Sequence, residues 1–238
     1  MKIANTLFAL LVVACATAHA QAPAGAGKAP AATQPAAAPV QNPSSAKSIE
    51  AKVAMCVGCH GIPGYKASFP EVHHVPMISG QSAKYIAAAL KAYQAGDRKH
   101  PTMRGIAGSL SEQDINDISA YYEAHGKDMP KAPDALPAAN AQVTALLQKA
   151  ACASCHGANL SKPIDPSYPK IAGQHADYLF VALKAYKTES NQAVGRSNGV
   201  MGAIAKQFSN AELKALSQYV GSLQGELETK PESRFRSH

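Results

Sequence analysis

The chain has 238 residues, 46% of them hydrophobic and 16% charged, with no tryptophan and a formal net charge of +7. That balance excludes a collagen-like or low-complexity chain and leaves room for one medium or two small globular domains. A domain of ~80 residues with so few large side chains buries little apolar surface, so something other than side chains is expected at its centre.

Residues 1–20 read as a signal peptide: Lys2, an apolar run from Leu7 to Val13, then Ala18-His19-Ala20 as a small-x-small cleavage pattern. An exported protein is expected, and export removes nucleic acid from its partners. The same stretch holds Val12 to Cys15, which resembles a lipobox in which Cys15 would carry a lipid anchor. No later segment is long and apolar enough to span a membrane. Residues 21–47, rich in Ala and Pro, read as a disordered spacer.

Beyond the spacer the sequence repeats itself. One half is expected over 48–126 and a second over 140–225, separated by a linker, 127–139, that holds Pro130, Pro133 and Pro137. Residues 226–238 read as a charged tail. Val75 to Tyr93 matches Tyr168 to Tyr186, and Ser109 to Tyr122 matches Gln207 to Val220, at slowly drifting offsets that mark a duplicated domain with altered loops.

Each half reads as all-α. Tyr85, Ile86, Ala89, Leu90 and Tyr93 recur at helical spacing, as do Tyr178, Leu179, Ala182, Leu183 and Tyr186, and core packing is the expected role of both sets. Ser111 with Asp114, and Ser209 with Glu212, have the spacing of capping boxes. After them Ile115, Ile118 and Tyr122, and in the second half Leu213, Leu216 and Val220, form apolar stripes. No strand run stands out.

The chemistry lies in two C-x-x-C-H units, Cys56, Cys59 and His60, then Cys152, Cys155 and His156. Two short disulfides would leave both histidines unexplained. Zinc needs four convergent ligands, and a thioredoxin-like dithiol wants an α/β setting. In a helical turn residues i, i+3 and i+4 share a face, so each unit can present two thiols and an imidazole to one flat object. Covalent haem, one per half, fits that geometry and supplies the missing core. For the opposite side of the iron the repeat selects Met103 and Met201, each in a breaker-rich loop between the middle and last helices, over Met77, which matches Lys170. His73, His74, His100, His125 and His175 lack matched partners and read as surface or loop residues. Pro76 and Pro169 are shared, and their loops could offer a carbonyl to each histidine's second ring nitrogen.

With Pro76 to Gln81 and Pro169 to Gln174 both reading P-x-I-x-G-Q, with Ala92 to Arg98 as AYQAGDR and Leu110 to Asp114 as LSEQD, the chain resembles the dihaem cytochrome c4 family over roughly 48–225. The resemblance implies two tandem class I cytochrome c-like domains, each wrapped around one haem c with His/Met ligation. It implies single-electron transport in the bacterial periplasm between a membrane cytochrome complex and a terminal oxidase. The alternative is an electron-accepting subunit of a dehydrogenase, of the flavocytochrome sulfide dehydrogenase or alcohol dehydrogenase type; a dihaem peroxidase would need one iron without a tight methionine. The second half departs from the pattern. Met201 lies farther from Tyr186 than Met103 does from Tyr93, and the glycine-arginine turn reads as lost. The second half is also the more basic, with Lys184, Lys187 and Arg196 among its cations, and is expected to dock an acidic partner.

Overall fold

The computed structural model describes residues 48–232, so the expected signal peptide, Cys15, the spacer and residues 233–238 lie outside the described part. Helix α1 (Ile49–His60) starts at Ser48, whose hydroxyl accepts from the Ala51 N–H, and carries the first C-x-x-C-H unit in its last two turns. A short hairpin follows, β1 (Lys66–Ala67) with β2 (His73–His74). Helix α2 (Ala83–Ala95) stops at Gly96, whose φ of 84° is a conformation that glycine adopts without strain. Strand β3 (Arg98–Lys99), α3 (Pro101–Gly108) and α4 (Glu112–His125) complete the first half.

The second half repeats the order with one break. Ala151, in the left-handed region at φ 48°, separates α5 (Ala141–Ala150) from α6 (Ala153–His156), which carries the second unit. Then come α7 (Ala176–Lys187), β4 (Gly195–Arg196), α8 (Gly199–Ala205) and α9 (Asn210–Ser222). Both expected capping boxes form. Asp114 and Glu212 each accept from the N–H of the serine three residues back, whose hydroxyl accepts in return.

Packing follows the apolar stripes. Val53 and Val57 of α1 meet Ile86 and Leu90 of α2 and Ile115, Ile118 and Tyr122 of α4 in one core. In the second half Leu146, Phe208, Leu213 and Leu216 form one cluster, and Leu160, Leu179, Val220 and Leu223 another. Ile115 and Leu213 are each 1% exposed, and burying such a side chain contributes roughly 1.5–3 kcal/mol.

The all-α expectation holds, with a few very short strands beside the helices. Among the described residues there are four two-residue strands, and two of them join the halves: β3 pairs antiparallel with β4, Arg98 opposite Arg196 and Lys99 opposite Gly195. The supposed charged tail is also a structural strap over its described part, 226–232. Leu227 is buried, Glu228 pairs with Ser79, and the Lys230 ammonium donates to the His125 carbonyl at 3.2 Å. Glu226, buried as well, accepts from the Ala132 N–H at 3.3 Å and from Lys170 at 2.9 Å, and so ties linker, loop and strap together. The strap passes so close that a Cβ on Gly80 would stand 2.3 Å from the Glu226 carbonyl oxygen. Among the described residues no helix is long and apolar enough to cross a membrane.

Candidate functional site

Each C-x-x-C-H unit is set by its own helix end. Cys56, Cys59 and His60 close α1; Cys152 stands at the N-cap of α6, which holds Cys155 and His156. All four thiols are free, so no disulfide joins either pair. Among the described residues no group of three or more His, Cys, Asp or Glu side chains converges as a metal-ion site would require.

The histidines are held as the shared prolines suggested. His60 Nδ1–H donates to the Pro76 carbonyl at 2.8 Å, and His156 Nδ1–H to the Pro169 carbonyl at 2.9 Å. Both bonds leave Nε2 as the nitrogen open to a ligand. Burial holds both imidazoles below the usual histidine range against the pull of those carbonyls, which favours the neutral, ligating form. Burial likewise pushes the Cys56 and Cys152 thiols up.

In the second half an apolar cavity is lined by Cys152, Cys155, His156 and Met201 together with Leu179, Leu183, Leu216 and Arg196. It brings all four expected site residues of that half to one space. In the first half Cys56 and Met103 pack against the same core. The methionines do not sit in loops. Met103 and Met201 are each the third residue of a short helix, and each main-chain N–H is capped, by His100 Nδ1 at 3.4 Å and Asn198 Oδ1 at 2.9 Å. Breaker residues there mark helix starts, with Pro101 at a position where a missing N–H costs nothing. Met77 takes no equivalent position. Its main chain is engaged by Gln174.

The glycine-arginine turn is not lost from the second half. Gly195-Arg196 is displaced by an insertion after α7 and returns to the place of Arg98, opposite it across β3–β4. The spacing that would have found it is the one to methionine, since Arg98 and Arg196 both stand five residues ahead of Met103 and Met201. Of the tyrosines assigned to the core, Tyr85, Tyr93, Tyr178 and Tyr186 also ring these arginines. Arg98 donates to the hydroxyls of Tyr85 and Tyr178 at 3.4 Å each, and Arg196 to Tyr178 at 3.1 Å. The guanidiniums also lie over Tyr93 and Tyr186, at 4.9 and 5.4 Å from the ring centroids. Burial works to raise the Tyr178 phenol, yet the two guanidiniums outweigh it and draw the phenol below its usual range. Among the described residues neither arginine has a carboxylate as a hydrogen-bond partner, and Arg98 Nε is buried with none at all.

Other residues cross the junction unforeseen. His73 is buried, donates from Nδ1 to the Glu71 carbonyl and stacks on Tyr178. His74 bonds the Asp177 carboxylate at 2.6 Å and stacks on His175 at 4.7 Å. His125 contacts the Ser79 hydroxyl and the strap residue Glu232. Of these histidines only His73 is buried, and what the surface or loop reading missed is that His73, His74 and His175 also meet the other half and His125 the strap, where no periodicity points. The basic-patch expectation also changes: Arg196 faces its tyrosines, Lys184 pairs with Glu71, and Lys187 donates to the Phe208 carbonyl.

Comparison with known proteins agrees on both halves. The cytochrome c family model matches residues 50–124 and 141–224. The chain is 29% identical over 187 residues to cytochrome c4 of Stutzerimonas stutzeri, covering 73% of this chain and 87% of that protein. It is 33% identical over 188 residues to the thiosulfate dehydrogenase electron acceptor of Thiomonas intermedia, covering 76% and 83%. Among solved structures it is similar to cytochrome c4 of Acidithiobacillus ferrooxidans, with a TM-score of 0.55 and 26% identity over 72% of this chain and 99% of that one.

Proposed function

Since the chain belongs to the dihaem cytochrome c4 family and carries two covalently bound haem c groups, we propose that it is a periplasmic relay for single electrons between a membrane cytochrome complex and a terminal oxidase. The residues fit the cofactor. Each half offers two thiols one turn apart, a neutral imidazole with Nε2 open, and a methionine at a capped helix start. The junction offers two guanidiniums whose hydrogen-bond partners among the described residues are tyrosine hydroxyls. When bound, the haem iron supplies a one-electron ferric/ferrous couple whose potential is raised by methionine ligation.

The assignment by residue follows. Halves 48–126 and 140–225 are the two haem domains. Cys56 and Cys59 attach the first haem, with His60 and Met103 as iron ligands; Cys152 and Cys155 attach the second, with His156 and Met201. Pro76 and Pro169 fix the ring planes of the histidines. The apolar lining excludes water. Arg98 and Arg196 would hold haem carboxylates at the junction, since burying two unpaired cations side by side costs several kcal/mol each.

The observation that carries this reading is the matched pair of histidine–proline carbonyl bonds directly after two C-x-x-C units. A second reading has specific support: the 33% identical relative is named as the electron acceptor of thiosulfate dehydrogenase, so this chain would accept electrons from a dehydrogenase. Rapid mixing separates the two. The relay reading expects the reduced protein to be oxidised by oxidase-containing membranes in the millisecond range. Reduction only by a co-purifying dehydrogenase, with no oxidation by membranes, would favour the second.

A further inference from the structure

We propose that Gln174 and Gln81 are positioning residues acting across the junction, each tuning the axial histidine of the opposite half through the peptide group behind it. This rests on the reading that His60 and His156 ligate iron. The Pro76–Met77 peptide is engaged at both ends. Its carbonyl accepts His60 Nδ1–H at 2.8 Å, and its N–H donates to Gln174 Oε1 at 3.0 Å. Gln174 Nε2 then donates to the Met77 carbonyl at 2.9 Å. The second half repeats this in reverse. The Pro169 carbonyl accepts from His156 at 2.9 Å, the Lys170 N–H donates to Gln81 Oε1 at 3.0 Å, and Gln81 Nε2 donates to the Lys170 carbonyl at 3.0 Å.

The orientation of each amide is dictated by its partners. Gln81 Oε1 also accepts from the Ser82 N–H and Gln174 Oε1 from the His175 N–H, at 3.0 Å each. A flipped amide would aim its NH2 at two N–H donors and its oxygen at a carbonyl. Gln81 and Gln174 are 4% and 5% exposed, so water cannot stand in for either.

The consequence is chemical. A hydrogen bond accepted from a peptide's N–H polarises its carbonyl, and a chain of such bonds strengthens each link by roughly 10–30%. A stronger pull on Nδ1–H gives the imidazole more anionic character and raises its basicity as a ligand. The more basic ligand favours ferric iron. Each glutamine therefore lowers the potential of the centre in the other half, and docking of the halves sets both.

The test is Gln174→Leu in the holoprotein, read by potentiometric titration and by the hyperfine-shifted ring protons of His60 and His156. The reduced-to-oxidised ratio of the first-half centre at fixed ambient potential should rise about threefold, ~28 mV for a one-electron couple at 59 mV per tenfold. His60 Nδ1–H should exchange faster with solvent, and the second-half centre should hold still. Gln81→Leu should give the mirror result. If each substitution moves its own half's centre, moves both equally or moves neither, the proposal is overturned. Should a variant not fold, hydrogen exchange on the unsubstituted holoprotein decides. The Met77 and Lys170 amides must be protected together with the two ring N–H groups, and exchange at the rate of an open loop contradicts the proposal. A protein without haem fails the underlying reading instead, and shows it by missing haem absorbance before any potential is measured.

Discussion

Replacing Arg98 with methionine tests whether a haem carboxylate is its counterion, because the sign of the effect depends on the answer. Arg98 is 9% exposed, its two bonds to tyrosine hydroxyls are long at 3.4 Å, and its Nε has no partner. Its ring contacts, at 4.9 Å to Tyr93 and 5.8 Å to Tyr85, contribute about 1–2 kcal/mol between them. Against that stand desolvation of the guanidinium, several kcal/mol, and repulsion from Arg196 directly opposite. Without an anion the balance is unfavourable, and Arg98→Met, which keeps most of the volume, should be neutral or stabilising. With a haem carboxylate present, the substitution leaves a buried anion short of one partner and should cost about 3–5 kcal/mol. Urea unfolding of the holoprotein, followed by far-ultraviolet circular dichroism, gives the difference at unchanged slope. The loss is the expected result. A variant as stable as the parent would refute the counterion argument.

Met103→Ala should open the first centre, shown by loss of the low-spin six-coordinate spectrum, and lower its potential, because thioether ligation favours ferrous iron; Met77→Ala should do neither. Asn198→Ala removes the cap on the Met201 N–H and should cost about 1 kcal/mol of stability, with carbon monoxide gaining access to the second centre only. Ser111 and Lys52 hold the Asp114 carboxyl down to about 2. A depressed carboxyl contributes its stability in full above the ordinary carboxylate value and loses it as pH falls through the folded one. Urea midpoints should therefore lose this contribution between about pH 4 and 2, and Ser111→Ala should flatten that part of the curve.

The helices and the C-x-x-C-H units were legible because their signals are local. Ser111 and Ser209 announce helix starts by side chains three residues apart, and the stripes through Ile115 and Leu213 follow the helical period. The junction was not legible. Strands of two residues are too short to show alternation, so β3 and β4 leave no pattern. Tyr85 and Tyr178 fall on helical stripes, and nothing in a stripe says that its edge meets arginines of both halves. Arg196 was obscured because distance was counted from Tyr186, across the insertion, rather than back from Met201. His73 and His74 find Tyr178 and Asp177 about a hundred positions away, and Leu227 is a single apolar residue in a charged run. In each case the partner lies across a tertiary contact that the linear sequence does not index.

Mass spectrometry of the purified intact protein, paired with a spectroscopic redox titration, counts the haems and the electrons they carry. The polypeptide should carry two covalent haems and show two one-electron transitions, reduced to one haem and one transition, on the second half, when Cys56 and Cys59 are both replaced with alanine. A chain that carries no haem, or one whose remaining haem is lost along with Cys56 and Cys59, would contradict that expectation.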